Sequence, residues 1–324
     1  MTEQGTGEYK FGIWCRRVLL IFVSLFLVVL IGDFAYSRWV NRRLARWESE
    51  QVYDDQGVRQ GCQAFSKGEG EQAVLFVHGI NDSPRLWDGY ADHLSQQGYT
   101  CRAMRLPGFA TRNQDYAEAT LDEWVVAVGK EIDLLAKDHE RIHVVAHSLG
   151  AAVCVRFESM KPGTLASLNL LAPLVEVSNR KSPVLPTRYW YQFGRVALIF
   201  TNTTYNPFGP AVNDPDSRDY PWRVDFTPRT VIDETFRLAR ENRGRAAQLK
   251  SPLFVAISEN DDVVDADAAR RFYDATQLEN KAWCDANKSA HLLPLDLDRD
   301  HILKSMLEFW SQLEKQSGEE TEVQ

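Results

Sequence analysis

The chain has 324 residues, 44% of them apolar and 25% charged, and a formal net charge of -8 at pH 7. That is the ordinary globular balance, and its negative sign repels phosphate backbones, so nucleic acid is not an expected partner. The length suits one α/β core carrying an inserted lid.

Residues 1–17 form a leader. An apolar run follows from Val18 to Ile31 and extends to Ser37 with one charge, Asp33. Crossing the ~30 Å hydrocarbon layer takes about 20 apolar residues, so residues 18–37 just suffice as a transmembrane anchor, with Asp33 near the far interface. Trp14, Arg16 and Arg17 flank one end and Tyr36, Arg38 and Trp39 the other, as interface anchors do. A cleaved signal peptide competes with this reading, because Ala35, Tyr36 and Ser37 have the small-x-small form of a cleavage site. The long leader and Arg38 directly after the site favour an uncleaved, single-pass anchor in a cell membrane. Basic residues are nearly balanced across it, which leaves the membrane side open, and oligomeric state is equally unspecified. Residues 38–60, charged from Asn41 to Asp55, are expected as a partly helical stalk that separates the bilayer from an enzyme indifferent to it. Cys15 sits at the membrane edge, and Cys62, Cys101, Cys154 and Cys284 show no metal-ligand spacing. Free, mostly buried thiols are expected, with neither metal nor cofactor.

Strands and helices then alternate. The pattern predicts an early strand at 62–65, a buried strand at 73–77 running into His78, Gly79 and Ile80, a helix at 87–97 and a strand at 99–106. A helix at 121–136 precedes the apolar run Ile142, Val144, Val145, which turns at Ser148 into a segment rich in small residues. A strand at 168–171 follows. Residues 174–229 break the rhythm with prolines and aromatics, which marks an inserted cap. The pattern resumes with a helix at 231–249, a strand at 252–257, a helix at 266–275, a weak strand at 281–285 and a closing helix at 303–313. Residues 317–324 are expected as a disordered tail. Such alternation implies a mostly parallel sheet covered on both faces, built from residues 61–173 and 230–316.

Ser148, lifted from the carboxyl edge of that sheet, is the candidate nucleophile. Reactive groups of such sheets gather at carboxyl strand ends, and two more strand ends supply partners. Asp261, where the 252–257 strand ends, is the candidate acid that fixes a histidine tautomer, with Asp262 as its neighbour and rival. His291, in a short loop before the closing helix, is the candidate general base. His301 reads as helical, and His93, His139 and His143 precede the serine. Two backbone amides, those of Ile80 and Leu149, are placed to form an oxyanion hole, with Gly79 allowing close approach.

These motifs resemble the α/β-hydrolase superfamily, nearest to its monoacylglycerol lipase, lysophospholipase and serine aminopeptidase-like branch. The resemblance rests on His78-Gly79, on Arg105-Leu106-Pro107-Gly108, on Ala146-His147-Ser148-Leu149-Gly150, on Asp261-Asp262-Val263-Val264 and on Ser289-Ala290-His291. It implies an α/β-hydrolase fold with an inserted cap and a serine hydrolase with the order Ser148, Asp261, His291. Two departures stand out. Ala146 replaces the first glycine of the nucleophile elbow, and Phe109-Ala110 replaces the His-Gly often found after Pro-Gly.

Substrate class has to be read from the cap, whose aromatic residues include Tyr189, Trp190, Phe193 and Trp222, the candidate substrate-binding side chains. With the anchor, they favour lipid-like carboxylic esters such as monoacylglycerols or lysophospholipids. A peptidase, amidase or thioesterase of the same fold is the alternative, with Glu176, Asp214, Asp216 or Asp219 available to a free amino terminus. A membrane-tethered binding protein that lost the chemistry is a further alternative.

Overall fold

The computed structural model describes residues 4–322 apart from Pro183, and side chains within 13–316. The first three residues of the leader and the last two of the tail lie outside the described residues. The chain opens with α1 (Gln4–Ser49) and enters the core through β1 (Phe65–Lys67), β2 (Gln72–Val77), α2 (Asp88–Gln96) and β3 (Tyr99–Met104). It continues with α3 (Asn113–Glu118), α4 (Leu121–Leu135), β4 (Arg141–His147), α5 (Leu149–Met160) and β5 (Ser167–Leu171). The inserted segment carries α6 (Thr187–Ala197), β6 (Thr203–Tyr205) and β7 (Phe226–Pro228). The core then closes with α7 (Arg229–Asn242), β8 (Leu253–Ile257), α8 (Ala266–Asp274), β9 (Lys281–Asp285) and α9 (Arg299–Glu322).

Seven strands form one sheet in the order β1-β3-β2-β4-β5-β8-β9, parallel except for β1. Strands β2, β4, β5 and β8 are buried along almost their whole length, because helices cover both faces; β8 and residues 73–77 of β2 read as unbroken apolar runs, while β4 and β5 bury His143 and Asn169 among their apolar residues. Central β4 aligns Ala146 with Val77 on one side and Leu170 on the other, which sets Ser148 at the middle of the carboxyl edge.

Boundaries differ where local chemistry overrides periodicity. The early strand lies at Phe65–Lys67, not at 62–65, because Cys62 closes a turn onto the Arg59 carbonyl. A 3-10 turn at Pro84–Trp87 precedes α2. Helix α4 starts after a capping box in which Thr120 and Glu123 satisfy each other's amides. The helix expected to reach 249 ends at Asn242, two residues before Gly244, and only a 3-10 turn at Ala246–Gln248 continues it. The closing helix is longer than expected and runs to Glu322, through most of the stretch expected to be disordered.

The largest difference concerns residues 38–60. No stalk separates the apolar segment from the enzyme. Helix α1 runs unbroken past residue 37 to Ser49 and lies on the inserted segment. Val40 is fully buried against Val224 and Phe226, with Tyr36, Leu44 and Trp47 around them. Asp33 accepts hydrogen bonds from the Phe200 amide at 2.7 Å and the Thr201 hydroxyl at 2.6 Å, and Ser37 donates to the Phe200 carbonyl at 2.7 Å. Ahead of these contacts the helix is exposed and apolar, and by length and composition it can cross a membrane.

Candidate active site

At the end of β4 the chain turns sharply, and Ser148 takes φ 52 and ψ -116, a strained conformation that projects its hydroxyl from the sheet edge. Small residues make the turn possible. A Cβ on Gly150 would collide with the Val77 and His78 carbonyls, and one on Gly79 would stand 2.8 Å from His147 Nδ1 and 3.1 Å from Ser148 Cβ. Ala146, where the elbow pattern has glycine, is fully buried and is not among the residues with positive φ, so the strain rests on Ser148 itself.

The three candidate residues meet. His291 Nε2 lies 2.9 Å from Ser148 Oγ, and His291 Nδ1 lies 2.7 Å from Asp261 Oδ2. The other Asp261 oxygen accepts from the Val263 and Val264 amides at 2.8 and 2.9 Å. Burial pushes the Asp261 carboxyl up, but the facing His291 and these amides outweigh it and hold the group below its ordinary value. Asp262 turns away to Lys181 at 2.5 Å. His301 sits exposed in α9, His93 bonds Gln97 in α2, and His139 bonds the Glu71 carbonyl. His143 is buried between Ser167 and Gln72 and stacked on Trp310.

Leu149 is the first residue of α5, where an amide has no partner within its own helix, and the Gly79-Ile80 backbone lies against Ser148. His78 holds that loop in place. Its Nε2 accepts from the Leu106 amide at 3.2 Å, so Nδ1 carries the proton facing the Gly79 carbonyl at 3.0 Å. Burial pushes the His78 imidazole down to about 4, which keeps it neutral.

Some residues around the site were not legible in the sequence. His147 Nε2 donates to the His291 carbonyl at 3.0 Å, and the two rings lie with centroids 4.8 Å apart, so His147 braces His291. Asp298 accepts from the Lys288 and Ser289 amides, and Asp296 accepts from Ala290, so two carboxylates hold the loop that presents His291. Buried Asp82 pairs with Arg223 of the inserted segment at 3.2 Å. That segment closes over the site through two further contacts: the Val224 amide bonds the Asn81 carbonyl, and the Ala211 carbonyl takes the His291 and Leu292 amides. Ser148 is accordingly only 3% exposed.

The candidate substrate-binding aromatics are not gathered around Ser148. Tyr189, Trp190 and Phe193 are exposed on α6, and Trp190 borders an apolar cavity of about 260 Å³, shared with Leu198, Ile232 and Phe236, whose lining does not include Ser148. Trp222 is wedged against Gly61, with the Arg85 guanidinium over its ring, and so holds the cap to the core.

The family profile described as serine aminopeptidase, S33, matches residues 68–298. The chain belongs to that family. It is a serine hydrolase of the α/β-hydrolase fold. Among curated proteins, the family member is 22% identical over 258 residues to a thermostable monoacylglycerol lipase of Bacillus sp. (strain H-257), a match covering 78% of this chain and 96% of that protein. It is 21% identical over 251 residues to a carboxylesterase of Bacillus subtilis (strain 168), covering 77% and 96% respectively. Among solved structures, the monoacylglycerol lipase of Paleococcus ferrophilus superposes with a TM-score of 0.66 at 17% identity, over 77% of this chain and 98% of that one. A soluble variant of the Saccharomyces cerevisiae monoglyceride lipase gives 0.65 at 14% identity, over 77% and 91%. These likenesses to solved structures carry the fold.

Proposed function

We propose that the protein is a membrane-anchored serine hydrolase that cleaves carboxylic esters of lipid-like substrates, monoacylglycerols or lysophospholipids, through an acyl-enzyme. The observation that carries this reading is the hydrogen-bonded relay Ser148–His291–Asp261 at distances of 2.9 and 2.7 Å. Ser148 Oγ attacks the acyl carbonyl as His291 Nε2 takes its proton. The same nitrogen returns the proton to the departing alcohol, and water repeats the cycle to release the acid. Asp261 holds the proton of His291 on Nδ1 and stabilises the imidazolium, while the Ile80 and Leu149 amides receive the oxyanion. Because the nucleophile is covered, the cap must shift for a substrate to enter.

Two of the relatives, a monoacylglycerol lipase and a carboxylesterase, align over almost their full length, which supports an ester over a peptide. Of the acids considered for binding a free amino terminus, Glu176 is occupied by Arg243 and Asp214 by Arg299, while Asp216 and Asp219 lie exposed. An uncleaved anchor fits the contacts of Asp33 and Ser37 with the cap, since cleavage after Ser37 would strip them away. A screen of p-nitrophenyl esters of graded chain length beside aminoacyl anilides tests the proposal. Faster turnover of anilides than of every ester would replace it with a peptidase.

A further inference from the structure

We propose that α6 and the residues just beyond it lie in the surface layer of the lipid bilayer, at a depth fixed by Asp33 of α1. The inference rests on reading α1 as an uncleaved span. It does not come with the family, whose match begins at residue 68, after α1 has ended.

Length is the first argument. The charge-free apolar run from Val18 to Ile31 covers about 21 Å at 1.5 Å per residue, against a hydrocarbon layer of ~30 Å. The missing ~9 Å corresponds to about six residues at that rise, which are 32–37. Docking on the cap begins within those residues. Asp33 bonds Phe200 and Thr201, Phe34 meets the Phe200 ring edge-on at 5.5 Å, and Ser37 bonds the Phe200 carbonyl. If α1 spans the bilayer, the part of the cap around Phe200 is drawn into it.

That part of the cap is built for the environment. Helix α6 buries none of its residues, and Tyr189, Trp190, Phe193 and Val196 stand exposed at helical spacing, followed by Ile199 and Phe200. Val196 is 79% and Phe193 59% exposed. An amphipathic helix with Trp and Phe on its apolar side characteristically sinks about 5–10 Å into the boundary of headgroups and chains, matching the shortfall above. Arg188, exposed on the same helix, can reach the headgroups with its charged end, while Arg195 pairs with Asp233 at 3.6 Å.

Asp33 sets the register between the two. A carboxylate within an apolar span is costly unless it has donors, and both of its oxygens find theirs on the cap, from Phe200 and Thr201. Sliding or rotating α1 against the cap would strip those bonds inside the membrane. The helix therefore holds the cap at a fixed depth instead of tethering the enzyme loosely, and a lipid substrate meets the cap without leaving the bilayer.

The test uses the full chain in phosphatidylcholine vesicles, with Cys15→Ser removing the exposed native thiol. A polarity-sensitive fluorophore is placed at Val196→Cys, or at Lys137→Cys near the start of β4 as the aqueous control. Quenching by shallow nitroxide lipids should be about threefold or more stronger at 196 than at 137, with blue-shifted emission. Adding Asp33→Leu should leave the protein in the vesicle fraction and abolish the difference between the sites. Asp33→Asn, of the same shape, should weaken it, and fluorophosphonate labelling of Ser148 reports that each variant is folded. Equal quenching at both sites in a vesicle-bound protein would overturn the proposal and leave the anchor standing. Quenching unchanged by both Asp33 variants would remove Asp33 from the depth setting. Recovery of the chain outside the vesicle fraction would overturn the anchor itself, and the proposal with it.

Discussion

Asp261→Asn separates a relay from an accidental contact, and the structure says why. One carboxylate oxygen accepts from the Val263 and Val264 amides at 2.8 and 2.9 Å, and the other faces His291 Nδ1 at 2.7 Å. In the asparagine variant the oxygen must stay with the two backbone donors, so the NH2 turns to His291. Nδ1 must then accept, the imidazole proton moves to Nε2, and Nε2 can no longer take the proton of Ser148 Oγ. Turnover of p-nitrophenyl butyrate should fall by about 10³ to 10⁴, equivalent to roughly 4 to 5.5 kcal/mol of barrier. The thermal midpoint should move little, because the shape and both backbone bonds survive. Asp262→Asn, whose carboxylate pairs with the exposed Lys181, should change turnover less than about twofold. Both variants are assayed in detergent micelles beside the parent. If Asp261→Asn kept more than about a tenth of the activity, or Asp262→Asn lost more than its neighbour, the tautomer argument would fail.

Ser148→Ala should abolish ester hydrolysis and fluorophosphonate labelling while preserving the fold, a loss of about 10⁴ or more; residual labelling at another serine would reassign the nucleophile. Removing residues 1–49 should cost stability, since Val40 alone is fully buried and worth about 1.5–3 kcal/mol. It should also slow hydrolysis of short soluble esters several-fold, because the cap segment that loses Val40 also bonds Asn81, next to Ile80 and the loop that lies against Ser148; an unchanged melting temperature and rate would restore the detachable stalk. Burial holds His78 at about 4 and His143 at about 3, against an ordinary 6.5. Unfolded imidazoles therefore bind protons first as pH falls below 6.5, and each buried histidine should remove roughly 2 kcal/mol of stability by pH 5, with loss continuing until the folded values are reached. A melting temperature flat from pH 7 to pH 5 would contradict neutral burial.

The parallel core was legible because its signals are local. Buried strands such as Leu253–Ile257 are apolar on both faces and need no partner to be recognised, and the turn at Ser148 shows itself by the small residues that crowding demands. Asp261 and His291 were read from strand ends and from the motifs of the resemblance, since doubly wound sheets bring carboxyl strand ends together, and the fold sets the two within hydrogen-bonding distance of each other. Residues that brace the relay gave no such signal. His147 stands next to Ser148, yet its partner is a carbonyl 144 positions away, and no period or spacing marks a bond of that range.

Helix α1 shows the same limit at a larger scale. Its charged second half was expected to be a spacer because charge along a helix usually means a solvated face. The sequence of α1 alone says nothing about what else is near, and it is the cap that turns Tyr36, Val40 and Trp47 into one packed stripe and Asp33 into a bonded group. Asp33 was the clue available. An acid four residues from the end of a barely sufficient span either shortens that span or has partners, and an acid with partners implies a protein surface lying against the helix at that depth. Followed through, that reasoning implies that some part of the enzyme packs on α1 beside Asp33, though not which part. Only the fold identifies it as the covering of the active site.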